Sequence, residues 1–293
     1  MKILVGFSPD QGGREALALA AVLARSTGGS LLVCTVIPET WGHPSPARVD
    51  AEYAAFLNEN AEKALAKARA SLPGDIAADF VARSAASARD GLCATAADIG
   101  ADCLVLGSSR AGAIGRFAVG SATTEILHSA KLPVVLAPRG YSASPGSIVR
   151  RVTCAVSGSA HSQALAERAG ALAQACRAEL RLATFIVRDK QMYPTGAGYD
   201  AENLVSNQYR RQADAVHAAI RQAWTQKVAL TGAFGDGPTW KAALDRLGWE
   251  NAELLVIGSS SLGPILQVFL GSNSGKIARN APVPCVVMPR VAE

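Results

Sequence analysis

Two stretches decide the fold of this 293-residue chain: ADCLVLGSS at Ala101–Ser109 and AELLVIGSS at Ala252–Ser260. They lie 151 positions apart, and at that offset 13 of the 33 residues of Gly107–Arg139 are identical without a gap. A repeat of this length indicates a duplicated domain rather than a short solenoid unit. We therefore predict one domain at residues 1–139 and a second at residues 151–293. Residues 140–150, which contain Gly, Ser, Ala and Pro, are predicted to form the linker.

Each half alternates short apolar runs, which predict strands, with helical patterns. In the first half the predicted strands are residues 2–7, 31–37, 76–82, 103–106 and 134–137, and the predicted helices are residues 11–27, 51–72, 92–99 and 121–130. In the second half the strands are residues 153–156, 180–187, 228–233, 254–257 and 285–288, and the helices are residues 162–176, 201–224, 240–248 and 272–281. This alternation predicts two Rossmann-like α/β domains, each a five-stranded parallel sheet with helices on both faces.

The last apolar run of each half predicts how the halves meet. Val134–Ala137 and Cys285–Met288 are short apolar strands, and an unpaired apolar edge strand invites association. Like patches of duplicated domains commonly pair around a two-fold axis. We expect an intrachain pseudo-dimer with these strands at the interface, and a further homodimer stays open.

Composition excludes several classes of protein. The net charge is +5 without any run of like charge, so a nucleic-acid partner is not expected. No stretch approaches the roughly 20 apolar residues of a membrane span, and no targeting segment stands out. We expect a cytoplasmic protein. Its six cysteines form no C-x-x-C pair, its histidines stand apart, and neither pattern indicates a metal site.

The loop after the fourth strand, GSSRAGAIGRFAVGS at Gly107–Ser121, carries the strongest functional pattern. Its glycines permit close approach of the backbone to a ligand, and its last two residues begin a helix whose free N–H groups favour an anion. Ordinary turn glycines are the competing interpretation. The candidate phosphate ligands are Gly107, Ser108, Ser109, Arg110, Gly112, Arg116, Gly120 and Ser121, with Gly258, Gly263, Gly271 and Ser272 in the second half.

Neither glycine loop matches a known catalytic sequence motif. Neither loop continues as a P-loop or as a nucleophile elbow, and neither contains Asp or Glu. Ser157–Ser162 distantly resembles the S-G-G-x-D-S loop of ATP pyrophosphatases, but its third and fifth positions differ. His161 is better explained as a polar residue at a helix start than as a base. We predict a protein that is not an enzyme and does not hydrolyse ATP at an enzyme-like rate.

The spacing Gly107 to Gly120-Ser121, followed by a strand between prolines at Pro133–Pro138, resembles the universal stress protein family in tandem form. Gly258 to Gly271-Ser272 repeats it. The resemblance implies an adenine nucleotide alpha hydrolase-like fold and a non-catalytic, regulatory ATP site, with Mg²⁺ bound only with the nucleotide. It implies phosphate contacts at Gly107, Gly120 and Ser121, and base and ribose contacts at Ser8, Pro9 and Val36.

Two departures from the family pattern bear on that expectation. The second family glycine is replaced by Arg110 and Ser261, and the acidic residue after the first strand by Ser8 and Ser157. We expect a stress-response protein that binds ATP or a related adenine nucleotide and acts on protein partners that the sequence does not identify. A member that has lost nucleotide binding and serves as an interaction scaffold is the alternative. Because Arg110 and Arg116 have no cationic counterparts in the second loop, the first half is predicted to be the better site.

Overall fold

The computed structural model describes residues 1–39, 49–109, 114–117, 120–159, 161–187, 199–259 and 272–289. The first half contains β1 (Lys2–Gly6), α1 (Gln11–Thr27), β2 (Ser30–Pro38), α2 (Val49–Ser71), β3 (Ala78–Ala85), α3 (Ala88–Ile99), β4 (Cys103–Leu106), α4 (Ser121–Ser129) and β5 (Val134–Leu136). The second half contains β6 (Arg151–Ala155), α5 (Ser162–Cys176), β7 (Glu179–Val187), α6 (Tyr199–Gln222), β8 (Leu230–Gly237), α7 (Trp240–Asp245), β9 (Glu253–Gly258), α8 (Ser272–Asn280) and β10 (Cys285–Met288). The predicted α/β alternation is confirmed in both halves.

All ten of these strands belong to one sheet, in the order β3-β2-β1-β4-β5-β10-β9-β6-β7-β8. Strands within each half are parallel, whereas β5 and β10 pair antiparallel, with Val135 opposite Val286. The second half therefore repeats the strand order of the first in reverse across an approximate two-fold axis. The prediction that the two last strands form the interface between the halves is confirmed.

Apolar side chains form one core layer on each face of the sheet. Residues of α1, α2, α5 and α6 share one cluster, and residues of α3, α4, α7 and α8 share the other. Adjacent residues of β4 point to opposite faces, so Val105 joins the first cluster and Leu104 the second. Both clusters run across the β5–β10 pair, so the halves share their core.

The cysteines in the strands are part of this packing. All six cysteines are free, and Cys34, Cys103, Cys154 and Cys285 are buried, as predicted for small apolar residues. Burial raises the pKa of Cys103 to about 12, so its thiol stays protonated and unreactive at neutral pH. Within the described ranges, no helix is both long and apolar enough to cross a membrane.

The third strand of each half lies further along the chain than predicted. β3 begins at Ala78 instead of Ile76 and continues to Ala85, because every residue of it pairs with β2 regardless of side-chain polarity. The following helix begins four residues before the predicted Leu92. Its N-cap is Ser87, whose hydroxyl accepts a hydrogen bond from the Asp90 N–H at 3.1 Å.

Candidate functional site

A cavity opens in the second half, beyond the carboxyl ends of β6, β7, β9 and β10. Its volume is about 440 Å³, and we call it the second-half cavity. This size lies within the roughly 300–1,000 Å³ typical of small-molecule sites. β6 lies between β9 and β7, so the chain leaves this strand at the point where strand order reverses. Open α/β sheets bind their ligands at such a switch point.

Serine hydroxyls form the rim of this cavity between β6 and α5. The Ser162 hydroxyl donates to the Ser157 carbonyl at 2.5 Å and accepts from the Ser157 N–H at 3.1 Å. The Ser157 hydroxyl donates to Ser159 Oγ at 3.2 Å. These bonds hold the turn before α5 without any charged group, and they leave a neutral rim.

Among the residues that the structure describes, the second-half cavity is lined by two basic side chains, Arg168 and His161, and by no Asp or Glu. Arg168 is half-buried, and its Nη1 donates to the Pro289 carbonyl just after β10. Burial lowers the pKa of Arg168, yet a guanidinium stays protonated at neutral pH. The fixed charge of this cavity is therefore positive, which favours an anion.

The start of α8 adds to that field. α8 begins at Ser272, and Asn273 and Ser274 from its first turn line the cavity. The Ser274 hydroxyl donates to the Gly258 carbonyl at 2.8 Å, which fixes the helix start against the end of β9. Free N–H groups and the helix dipole favour negative charge at such a position.

Aromatic and aliphatic side chains form the remaining wall. The rings of Phe185 and Trp240 lie 6.4 Å apart between centroids and are tilted by 52°. Val156, Ile257 and Ile277 continue the apolar surface. The cavity thus combines an apolar wall suited to a flat heterocycle with a positive end suited to phosphate.

The equivalent first-half crevice, between the carboxyl ends of β1 and β4, is filled by backbone. A methyl group on Gly107 would lie 1.9 Å from the Gly12 carbonyl oxygen, and one on Gly12 would lie 2.6 Å from the Ser108 carbonyl oxygen. At Gly258, the counterpart of Gly107, the nearest atom to such a methyl is Leu165 Cδ2 at 3.3 Å. The first turn of α1 therefore occupies the space that stays open beside α5.

Charge also differs between the halves. Asp10 caps α1 by accepting from the Gly13 N–H at 2.9 Å, and it accepts from the Ser8 hydroxyl at 2.8 Å. Arg116, predicted as a phosphate ligand, lies 3.4 Å from an Asp245 carboxylate oxygen of α7. The first-half crevice thus contains the Asp10 carboxylate, and Arg116, one of its two predicted cations, pairs with Asp245 of the second half.

The structure brings some of the predicted site residues together. Gly120 is the N-cap of α4 and Ser121 its first residue, and a methyl on Gly120 would lie 3.5 Å from Ser109 Cβ. Pro9 is exposed after β1, whereas Val36 packs against α3, with its Cγ atoms 2.8 Å from a methyl placed on Gly91. The predicted residues outside the described ranges are Arg110, Gly112, Gly263 and Gly271.

The sequence analysis missed Arg168, Phe185 and Trp240, which line the second-half cavity. Arg168 follows Leu165 at helical spacing on an otherwise apolar stripe of α5. An arginine in that position indicates a cation held near the sheet. Trp240 directly follows the Thr239 N-cap, whose hydroxyl accepts from the Ala242 N–H at 3.2 Å. This cap places the indole beside the carboxyl ends of the strands.

The sequence profile described as the Universal stress protein family matches residues 1–138 and 149–289 of this chain. Universal stress protein Rv2319c of Mycobacterium tuberculosis is 35% identical over 294 residues, spanning 99% of this chain and 100% of that protein. This likeness covers both halves, the seam between them and the linker.

Two solved structures share the fold across both halves. A universal stress protein from Archaeoglobus fulgidus superposes with a TM-score of 0.64 at 19% identity, covering 99% of this chain and 98% of its own. The protein PA1789 of Pseudomonas aeruginosa, described as functionally unknown, gives a TM-score of 0.57 at 16% identity, covering 98% of this chain and 92% of its own. At these identities the likeness shows the fold alone.

Proposed function

The chain belongs to the universal stress protein family, and on that premise we propose that its second half binds ATP or a related adenine nucleotide in a regulatory, non-catalytic role. The observation that carries this proposal is the second-half cavity, an opening of about 440 Å³ at the switch point with a positive end and an apolar wall. Such an opening fits the two unlike ends of a nucleotide.

Each part of the cavity has a role in this proposal. Phe185 and Trp240 would pack against the adenine ring, as aromatic side chains do with flat heterocycles. Arg168 and the first turn of α8 would attract the phosphates. Since the described lining residues include no carboxylate, none of them would hold a catalytic metal, and Mg²⁺ would enter only with the nucleotide.

This proposal reverses the order of the halves predicted from the sequence. That prediction depended on Arg110 and Arg116, of which Arg116 lies beside Asp245 and Arg110 falls outside the described residues. In the second half the cation is Arg168, which belongs to α5 and not to the glycine loop. We propose nucleotide binding in the second half and a structural role for the first-half crevice.

A matched pair of substitutions tests the assignment. Ser272 and Ser121 are both exposed first residues of their helices, and an acidic residue there stabilises a helix, so both variants should fold. In calorimetric titrations with ATP, Ser272→Asp should weaken binding at least about tenfold through like-charge repulsion, and Ser121→Asp should leave it unchanged. Weakening by Ser121→Asp alone would assign the nucleotide to the first half.

The alternative is a scaffold without nucleotide, favoured by the backbone contact that fills the first-half crevice. Under this alternative, both halves would serve cytoplasmic protein partners through their surfaces. Mass spectrometry of the solution left after denaturing the purified chain separates the two functions. Released adenine nucleotide supports the site, whereas its absence together with no calorimetric signal supports the scaffold.

A further inference from the structure

A second cavity, of about 630 Å³, lies in the second half at the opposite edge of the sheet from the second-half cavity. Its walls are the residues that lead into β6, β7 and β8, together with the end of α5. We call it the strand-start cavity. It shares no lining residue with the second-half cavity, and nothing in the proposed nucleotide site requires it.

Four basic side chains line the strand-start cavity: Arg150, Arg151, Arg177 and Lys227. Arg151 is engaged, because its Nη1 lies 2.7 Å from a Glu250 oxygen and its Nη2 lies 2.8 Å from a Glu253 oxygen. The other three are exposed, and none of their side chains forms a hydrogen bond or an ion pair with another described residue. Three cations of this cavity are therefore available to a ligand.

Two carboxylates, Glu179 and Glu250, also line the strand-start cavity. Both act on Arg151: its hydrogen bond with Glu253 raises the pKa of Arg151, and the charges of Glu250 and Glu179 add to that rise. Four cations against two carboxylates leave the lining with a net charge of +2. The uncompensated charge is positive and solvent-exposed, which favours a ligand with several negative charges.

The corresponding place in the first half is closed by an ion pair. There the Arg25 Nε lies 2.7 Å from an Asp75 carboxylate oxygen, and Arg25 also donates to the Ser147 carbonyl. Counted from the matching strand pairs β2–β3 and β7–β8, Gln174 stands in the place of Arg25, and Lys227 in the place of Asp75. The second half thus has an unpaired cation where the first half has a closed pair.

The backbone of Arg177 differs from that of every other described non-glycine residue. Its φ is +55°, the one positive value among them, and its counterpart at the C-cap of α1 is Gly28, with a φ of +62°. A side chain is disfavoured in this conformation, which glycine adopts freely. The negative end of α5 attracts a cation here, yet that attraction explains neither Arg150 nor Lys227.

We propose that the strand-start cavity binds a short inorganic polyphosphate. Guanidinium groups bind phosphate oxygens through paired hydrogen bonds, and a lysine ammonium binds them as a point charge. Among the described residues, the lining contains no aromatic side chain to hold a nucleobase, and Gln174 is its one neutral polar side chain. A ligand that consists of phosphate groups alone therefore suits these walls better than a nucleotide does.

Two-dimensional NMR titration of the full chain with tripolyphosphate, at constant ionic strength, tests the site. Signals of residues 148–151, 174–179 and 227–229 should shift. Tripolyphosphate should bind at least about tenfold more tightly than orthophosphate, because one molecule reaches several cations. Equal affinities of the two anions, or shifts confined to the second-half cavity, would overturn the proposal.

The Ser272→Asp variant separates this site from the proposed nucleotide site. Ser272 begins α8, at the other edge of the sheet, so its replacement should leave the affinity for tripolyphosphate unchanged even where ATP binding is weakened. A parallel loss of both affinities would place the polyphosphate in the second-half cavity and overturn the proposal.

Two further variants connect binding to the named side chains. Arg177→Gly introduces the residue that the first half has in the same backbone conformation, so this variant should fold, and it should lose at least about tenfold in tripolyphosphate affinity. Lys227→Gln should lose affinity to a similar extent. Lys67→Ala is the control, because it removes one exposed charge from α2 of the first half and should leave the affinity unchanged.

Circular dichroism checks that each variant is folded. Full tripolyphosphate affinity in folded Arg177→Gly or Lys227→Gln would overturn the proposal. An equal loss in Lys67→Ala would show that the anion responds only to the net charge of the protein, and it would also overturn the proposal.

Discussion

The two crevices of this chain have the same topology but opposite contents. In the first half, Gly107 lies against the backbone of Gly12, whereas in the second half Gly258 faces the side chain of Leu165. The strands that frame both crevices pair in the same pattern. The sheet is therefore the same in both halves, whereas the turn before the first helix differs, and that turn determines whether backbone fills the crevice.

The largest expected effect concerns a position that carries a buried charge in the second half and an exposed one in the first half. Glu253 is 1% exposed and binds Arg181 at 2.6 Å and Arg151 at 2.8 Å, whereas its counterpart Asp102 is exposed. Glu253→Ala should lower the free energy of unfolding by about 4 kcal/mol, because two cations lose a buried partner. Asp102→Ala should cost less than about 1 kcal/mol in the same urea titrations. Equal losses would show that the halves depend on this position alike.

The next effect tests the filled crevice directly. Gly107→Ala places a methyl group 1.9 Å from the Gly12 carbonyl oxygen, so backbone must move, and a loss of up to about 3 kcal/mol in unfolding free energy is expected. Among the described residues, the methyl group of Gly258→Ala meets the flexible end of Leu165, so this change should cost less than about 1 kcal/mol. If urea titration shows that the two variants are equally stable, the first-half crevice is open in solution.

A pH effect of intermediate size comes from His217, a buried residue of α6 in the second half. Its ring stacks on Phe234 at 4.8 Å, its Nε2 lies 3.0 Å from the Thr184 hydroxyl, and burial lowers the pKa of His217 to about 4. Below pH 6.5 the unfolded chain binds a proton that the folded chain refuses, so stability falls as the pH drops toward 4. Thr184 also lines the second-half cavity, so this loss of stability at low pH arises in the half that is proposed to bind nucleotide.

The measurement compares His217→Leu with the parent chain in urea titrations at pH 7 and pH 4.5. The parent should lose about 2 kcal/mol more than the variant over this interval. His128→Leu is the control, since His128 is exposed on α4 of the first half. Parallel losses in the parent and the His217 variant would mean that His217 does not cause the acid sensitivity.

The smallest expected effect tests whether Arg116 pairs with Asp245 or binds phosphate. Its pairing with Asp245 is partly exposed, so Arg116→Ala should change the unfolding free energy by no more than about 1 kcal/mol. Its affinity for ATP should match that of the parent chain in calorimetry. A tenfold loss of affinity would restore Arg116 to the phosphate site that the sequence predicted.

The fold was predictable because its determinants are local and repeated. The apolar runs ending at Leu106 and Ile257 predict buried strands, and the short last strands correctly predict which edges of the two halves meet. The edge strand β3 was placed too early because its pairing with β2 extends beyond its apolar residues. Backbone pairing of that kind leaves little trace in side-chain patterns.

The candidate site was less predictable because its residues come from distant elements. Arg168 approaches the ends of the strands from within α5, far in sequence from the glycine loop. Gly12 and Gly13 suit an ordinary helix start, and the filling of the first-half crevice depends on how closely that backbone approaches Gly107. Such closeness is a property of the packed structure and has no signature in spacing.

The pairing of β5 with β10 joins two unlike halves within one chain, so every molecule has the same difference between its two crevices. Separate copies of a single half would meet at a rate set by their abundance, and unlike halves would also pair with their own kind. Here residues 140–150 tether the two edges, so one unlike pair forms per polypeptide and the local concentration of its partner stays high at any dilution. Each new chain therefore carries one open crevice and one filled crevice in a fixed one-to-one ratio, independent of how many copies the cell makes.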